Sequence, residues 1–578
     1  MNQKISVATK EKPSETVDIF LPDGKVLSGP RGEKVEVFLK ALPNWSDLQI
    51  QGAIINGGLR ELSYPIHLES HVTPIGMSDP DGARIYRRSL IYLLEAAYEE
   101  LFSEGDLTVD HSVSSGGFFC QVLGREPLDE NELKRLEEHM YKLVEADLPI
   151  ERRQIPLDEA VAYFESKGQT DKVRLLKYRQ KPHLMMYELA EHRDYHHGYM
   201  VISTGYLRWF ALSKMEEGFI LRFPRRHRPM EIQPAPESLR LIGTFREYGD
   251  WLARLGIDSI GGLNEAIEED RIRGVVLVSE ALHEMRIAEI ARKIVERPEK
   301  SVIVIAGPSS SGKTTFSKRL AVQLLAQGIS PFALELDNYF VDREKTPKGA
   351  DGKYDYESLK ALNTRMLGEH LRQMMAGEEV QLLHYDFKTG LSGPGEVVKL
   401  ASDQLIILEG IHGLNPNLIA DVPQDRIFRI FISALTQLNL DRQNRISTTD
   451  TRLVRRIVRD ARERGYSASQ TIGQWESVRR GEKRNIFPYQ NNADEMFNSA
   501  LAYELAVLKP LAEPILRQVP YGTPEHVEAK RLLALLEWFL PMDAELVPDN
   551  SLLKEFYGGS IFKEFKLWEE TETQKSLN

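Results

Sequence analysis

The residues Gly307 to Thr314 read GPSSSGKT and fit the spacing G-x-x-x-x-G-K-[ST]. Glycines let the backbone curl so that its N–H groups converge on an oxyanion, and a following helix adds a favourable dipole. The run before the loop, SVIVIA, has the continuous β-branched pattern of a central parallel strand. From about Lys313 to Gln327 the text reads as a helix. In this setting Lys313 would reach the β- and γ-phosphates and Thr314 would hold magnesium. Ser309, Ser310, Ser311, Gly312 and Thr315 complete the cradle. The chemistry implied is binding of ATP with Mg2+ and transfer of its terminal phosphoryl group.

Two acids follow at the ends of strand-like runs. FALELD is expected to end at Asp337, beside the phosphate-loop strand, where a carboxylate faces the ligand crevice. Asp337 could take the proton from an attacking hydroxyl or order magnesium. DQLIILEG, residues 403–410, ends in Glu409, which would act through magnesium or its water shell, or cap a turn with Gly410. The stretch 442–484 holds eleven arginines and one lysine in a chain whose formal net charge is -12. Arg452, Arg455, Arg456 and Arg459 recur at i, i+3, i+4 and i+7 and share one helical face. Such a face reads as an anion-facing lid.

These elements need a scaffold of several units. The chain has 578 residues, 42% hydrophobic and 28% charged, which suits two to four folded domains. A single cysteine, Cys120, excludes a disulfide framework and a multi-cysteine zinc site and fits a reducing compartment. No signal-peptide pattern or eighteen-residue apolar run occurs, so the reading is cytoplasmic with no membrane partner. Net acidity argues against nonspecific nucleic-acid binding. The basic group PRRHRP at 224–229 is read as a solvated face, with contact to a phosphate or nucleic acid as the alternative.

At the N-terminus, residues 1–14 are polar. VDIFLPDGKVLS then reads as two strands about a Pro22-Asp23-Gly24 turn, with further turns at Asn56-Gly57-Gly58 and Ser63-Tyr64-Pro65. Leu21-Pro22-Asp23-Gly24, Ile55-Asn56-Gly57 and Leu62 resemble the TGS domain of threonyl-tRNA synthetase, a β-grasp-like module. From Ser78, SDPDGARIYRRSLIYLLEAAYEELF predicts a helix of about four turns. The segment from 77 to 250 resembles the second additional domain of threonyl- and alanyl-tRNA synthetases. That family carries two helical histidines four residues apart, and this chain has Arg88 and Tyr92 there. His192, His196 and His197 lie downstream, and Cys120 reads as a buried structural thiol.

GPSSSGKTT, LDNYF, YDYESLKALN (354–363), LHYDFKTG (383–390), LEGIHGL and RLVRRIVRDARERG resemble, in that order, the uridine kinase and phosphoribulokinase family. The resemblance implies ATP-dependent phosphorylation of a hydroxyl, such as the 5′-hydroxyl of uridine or cytidine. It makes Asp337 the catalytic base, and Arg459 and Arg464 the lid arginines. It places Tyr339, Tyr356, Tyr385 and Asp386 in the acceptor pocket. The chain departs from the family after Asp386, where KTGLSGPG lacks the usual histidine and arginine, and at Tyr466, where an arginine is usual. An acceptor other than a nucleoside, a sugar or sugar phosphate, therefore stays open, as does an ATP-gated RNA- or tRNA-binding role and a homo-oligomer.

The expected architecture is α/β. A TGS-like unit (1–76) precedes an α+β synthetase-like unit (77–250) and a helical connector (251–298). A P-loop kinase-like unit with a parallel sheet (299–525) follows, then a C-terminal helix and tail (526–578).

Overall fold

The computed structural model describes residues 14–113, 116–234, 249, 251–349, 352, 354–401, 404–436 and 438–565. Most of the polar stretch 1–14 and the tail from Glu570 lie outside these residues.

Alternating apolar residues form β1 (Thr16–Phe20), β2 (Val26–Pro30), β3 (Ile50–Ile55), β4 (Gly58–Arg60) and β5 (Ser70–Gly76). They make one mixed sheet in the order β2-β1-β5-β3-β4, with β1 and β5 parallel. Asn56 and Gly57 join β3 to β4 with φ of 48° and 81°. Two consecutive positive φ values match the right-handed strand twist and favour Asn-Gly.

The Pro80–Leu101 helix has 22 residues, two turns longer than the text suggested, because Pro80 starts it and no breaker interrupts its apolar face. It packs against β6 (Asp106–Val113) and β7 (Gly117–Leu123), around a core that includes Leu90, Leu94, Val109 and Cys120. The three-stranded sheet comprises β8 (Glu151–Pro156), β9 (His183–Leu189) and β10 (His192–Asp194). β11 (Ala211–Met215) and β12 (Gly218–Arg222) complete the β11-β12-β7-β6 sheet.

A five-stranded parallel sheet carries the phosphate loop. Its strands are β13 (Val302–Ala306), β14 (Pro331–Glu335), β17 (Leu405–Glu409), β18 (Ile427–Ser433) and β19 (Glu495–Asn498). Their order is β14-β17-β13-β18-β19. Every residue of β13 and β18 is buried, as expected for strands covered on both faces. A hairpin of β15 (Glu379–Asp386) and β16 (Leu391–Lys399) projects beside this sheet.

FALELD does not remain a strand as far as Asp337. The strand stops at Glu335, and Asp337 lies two residues on, in a 3-10 turn. Its strand is not adjacent to β13 either, because β17 pairs with both and stands between them.

The 251–298 stretch does more than connect. Ile257, Ile260, Leu263, Val275 and Val276 share one hydrophobic core with Leu453, Ile457, Leu505, Leu532 and Phe556. Ala160, Phe164 and Leu176 enter the same core from the N-terminal part. LLALLEWFL behaves likewise: the Pro524–Leu536 helix inserts Leu532, Leu535 and Leu536 into it.

Candidate active site

The phosphate loop closes for local steric reasons. A Cβ on Gly307 would stand 2.1 Å from the Ile432 carbonyl oxygen, so only glycine lets β13 turn there beside β18. Gly312 has φ of 84°, a left-handed value that glycine adopts without strain, and the Lys313–Ala326 helix begins at the next residue. The Ser310 and Ser311 hydroxyls are buried in the loop without hydrogen-bond partners. Unpartnered buried donors are costly, so a loop holding two of them fits an oxyanion ligand.

Four predicted residues converge where β13, β14 and β17 end. Thr314 Oγ1 donates to Glu409 Oε1 at 2.9 Å. The Lys313 ammonium donates to the Pro308 carbonyl at 3.2 Å, so the lysine folds back over its own loop. Burial lowers its pKa, opposed by Glu409 and Glu555. Glu409 is pushed up to about 7 by burial, against the pull of Lys313. Asp337 is exposed to solvent. Desolvation and Glu335 raise its pKa, while Lys313 and Arg464 draw it down. The donor set of a hydroxyl and two carboxylates suits a hard divalent cation, so Thr314, Glu409 and Asp337 fit magnesium.

The arginine face divides in two. The Thr448–Arg464 helix starts at Ser447, whose side chain accepts from Thr449 N–H, and stops at Gly465 with φ of 65°. Arg452 and Arg455 are fully buried and do not form an open lid. Arg452 is paired with Glu482 and donates to the Ser309 carbonyl at 2.8 Å. Arg455 is paired with Glu504 and donates to the Ser310 carbonyl at 3.4 Å. Arg456 donates to Ser309 Oγ at 2.8 Å, and Glu482 accepts from Ser309 N–H at 3.1 Å. These groups brace the loop because buried carboxylates of neighbouring helices neutralise them.

Arg459 and Arg464 take a different course. With Arg456 they fan around the buried Asp460 carboxylate, at 3.4, 3.2 and 3.1 Å respectively. Both are less buried than Arg452 and Arg455, and Arg459 acts electrostatically on Lys313 and Arg464 on Asp337, as buried Arg452 also does on Lys313.

On the acceptor side the outcome is mixed. Tyr339 turns away from the cleft: it is fully buried, and its hydroxyl lies 3.0 Å from His370 Nδ1. Asp386 is engaged in the hairpin turn, where Oδ1 accepts from the Lys388 N–H at 2.8 Å and the Thr389 N–H at 3.4 Å. Tyr356 and Tyr385 do meet. Phe340 contacts both rings at 5.7 and 5.5 Å between centroids, and Phe387 lies 5.1 Å from Tyr385. Arg343 Nε donates to the Tyr356 hydroxyl at 3.2 Å.

Four groups escaped the sequence reading. Glu357 is pushed up to about 7 by burial and by Glu482, against Arg456 and Lys313. His412 is buried with neither ring nitrogen hydrogen-bonded, and its pKa falls to about 4. Asp460 looks in the text like one more acid of a charged helix. Glu555 lies 241 residues beyond Thr314, so no spacing rule could have linked it to the loop. Its carboxylate accepts from Thr315 N–H at 3.2 Å, while Leu552 packs beside Gly312.

In the N-terminal part, Arg88 donates to the Tyr199 carbonyl at 2.6 Å and fills the space a side chain at Gly198 would need. The Tyr92 hydroxyl donates to the Tyr187 carbonyl at 2.6 Å. Glu95, His192 and Asp194 come together in a group of metal-ligand type. Lys172 is buried against Asp194, and His196 Nε2 lies 2.9 Å from Glu95, so the charges are already matched internally. His197 Nδ1 accepts from the Trp538 indole at 3.1 Å. Cys120 is fully buried and its thiol pKa is raised by that burial, as for an inert structural thiol. No helix among the described residues is long and apolar enough to cross a membrane.

Residues 302–505 match the Phosphoribulokinase / Uridine kinase family. The N-terminal region is similar to threonine–tRNA ligases. The match to that of Polaromonas sp. (strain JS666) is 30% identical over 200 residues, 34% of this chain and 31% of the relative. That of Carboxydothermus hydrogenoformans is 34% identical over 161 residues, 28% of this chain and 25% of the relative. The chain thus spans at most about a third of these relatives. Among solved structures, a possible uridine kinase from Bacillus stearothermophilus is 19% identical with a TM-score of 0.26, covering 37% of this chain and 97% of that one. D-glycerate 3-kinase from Cryptococcus neoformans is 16% identical with a TM-score of 0.18, covering 46% and 87%.

Proposed function

We infer that this chain is a nucleotide-dependent phosphotransferase that moves the γ-phosphoryl group of ATP to a hydroxyl of a small acceptor. The observation that carries this reading is the convergence of Lys313, Thr314, Glu409 and Asp337 at the ends of three parallel strands. Residues 302–505 add the support of the family match.

In this reading Lys313 swings from the Pro308 carbonyl to the β- and γ-phosphates, and the loop N–H groups hold their oxygens. Asp337 receives the proton of the acceptor hydroxyl. Its raised pKa makes it a stronger base than a free aspartate, which favours that transfer. Arg459 and Arg464 offset the charge that develops on the transferred group, and closure of their helix keeps water out. Magnesium, held by Thr314 and Glu409 with Asp337, would neutralise phosphate oxygens when bound.

The acceptor is a nucleoside such as uridine or cytidine, phosphorylated on its 5′-hydroxyl. Support comes from the aromatic group of Phe340, Tyr356, Tyr385 and Phe387, three residues and more beyond Asp337. A planar base can stack on such rings. A second reading, a sugar or sugar-phosphate acceptor, is favoured by Asp386. One oxygen of its carboxylate is tied into its own turn rather than offered to an acceptor.

The experiment is a screen of nucleosides, sugars and sugar phosphates with direct detection of phosphorylated product. Rapid ATP hydrolysis with no phosphorylated acceptor across that panel would remove the reading. Phosphorylation of sugars alone would select the second acceptor class.

A further inference from the structure

The basic group at 224–229 joins an arrangement that the phosphoryl-transfer site does not use. The Arg87 guanidinium lies over the Phe223 ring at 5.0 Å, and the Arg445 guanidinium over the Phe118 ring at 4.7 Å. The two rings contact each other, with centroids 4.7 Å apart. A single aromatic pair therefore fixes two cations from distant parts of the chain. Arg226 binds both oxygens of Glu476 at 3.1 Å and donates to the Ser78 carbonyl at 3.0 Å. That contact docks the Ala468–Asn485 helix here and brings Lys483 alongside.

The surrounding cations have acidic partners. Arg84 pairs with Asp81 and Glu528, Arg226 with Glu476, Arg228 with Glu231, and Arg479 with Glu482. Arg87 and Lys483 form no ion pair or hydrogen bond among the described residues, and Arg445 donates only to the Asp110 backbone carbonyl, at 3.0 Å. Burial and four nearby arginines draw Arg87 down to about 10. Lys483 stays exposed to solvent, and partial desolvation with Arg479 and Arg226 lowers its pKa against Glu476. Asp110 and Asp450 act on Arg445 and Glu476 on Lys483 only electrostatically, with no ion pair formed among the described residues.

We propose that Arg87, Arg445 and Lys483 frame a second oxyanion site, separate from the phosphate loop, for a phosphate or pyrophosphate group on a small molecule. Guanidinium groups held over aromatic rings keep N–H donors for oxygen acceptors with little ordering cost. A compact dianion matches three neighbouring cations, of which Arg445 acts electrostatically on Arg87 and Arg87 on Lys483. A polynucleotide needs an extended positive track, whereas Glu476 and Glu231 flank this cluster and the whole chain is acidic. An occupant would bridge the Pro80–Leu101 helix to the arginine-rich helices beside the phosphate loop.

Calorimetric titration of inorganic pyrophosphate into full-length protein tests the site. Lys313→Ala serves as the background, so that the phosphate loop contributes least. One equivalent should bind. Adding Arg87→Gln should weaken it by about tenfold or more, and adding Lys483→Gln by about threefold. Lys483 is exposed, so its variant keeps the fold if Arg87→Gln does not. In the Lys313→Ala protein, pyrophosphate should slow hydrogen exchange at residues 84–90. Absence of saturable binding in the Lys313→Ala protein, equal affinity in the added variants, or unchanged exchange would each overturn the proposal. So would tighter, Arg87-dependent binding of a single-stranded RNA oligonucleotide than of pyrophosphate.

Discussion

The Glu555 carboxylate accepts a hydrogen bond from the Thr315 backbone N–H at 3.2 Å, in the first turn of the helix that follows the phosphate loop. First-turn N–H groups favour anions, and one N–H serves one acceptor well. Glu555 thus holds a position that a phosphate oxygen would take. Phe556 beneath Arg455, and Lys318 donating to the Phe562 carbonyl at 2.6 Å, fix the segment there. Glu555→Gln should lower the dissociation constant for ATP by about tenfold, because a neutral amide competes less well than a carboxylate. Equilibrium binding of a fluorescent ATP analogue checks this, and weaker binding would assign Glu555 a supporting role instead.

Asp337→Asn keeps the size of the side chain and removes its basicity. The variant should bind ATP as the parent does and lose about a hundred- to ten-thousandfold in turnover. Binding and product formation must be measured on the same preparation. Parallel loss of both would point to a role in holding the nucleotide.

The divided arginine face predicts two kinds of variant. Arg455→Met leaves the buried Glu504 carboxylate without its partner and should cost about 3–5 kcal/mol of stability. Arg459→Gln removes a group that faces Lys313 from a partly open position. Its melting temperature should stay close to the parent's while turnover falls about a hundredfold or more. Denaturation and kinetics on the two proteins separate bracing from catalysis.

Glu357 gives a pH signature. Its pKa is pushed up to about 7 from an ordinary 4.5. Between those values the folded protein keeps a proton that the unfolded chain releases. Stability therefore falls as pH rises through that window and levels above it. Glu357→Gln should match the parent near pH 4.5 and exceed it by about 1–3 kcal/mol at pH 8. Urea denaturation across that range measures the difference.

A fragment of residues 299–578 should not fold on its own. It keeps the phosphate loop but loses Ile257, Ile260, Leu263 and Val275 from a core shared with Leu453, Leu505 and Leu532. It also loses Glu280, which accepts from the Tyr503 hydroxyl at 2.7 Å. Poor solubility and a molten near-ultraviolet spectrum are expected. A cooperative transition in this fragment would show that the shared core is dispensable.

The sequence by itself determined the phosphate loop, its strand and helix, and the acid of β17, because these rest on contiguous residues with local rules. Gly307, Gly312, Lys313 and Thr314 act through backbone curvature and short reach, and the pattern SVIVIA marks a strand buried on both faces. Periodicity also brought out the arginine-rich helix. It could not say which arginines face solvent, because Glu482, Glu504 and Asp460 decide that across the packed helices. The tertiary structure alone placed β17 between β13 and β14, turned Tyr339 into the core, and tied Asp386 into its own hairpin. It alone brought Glu555 to Thr315 and Arg87 to Arg445, pairs separated by 240 and 358 residues. Charge neutralisation and aromatic stacking act through space, and spacing along the chain carries no record of them.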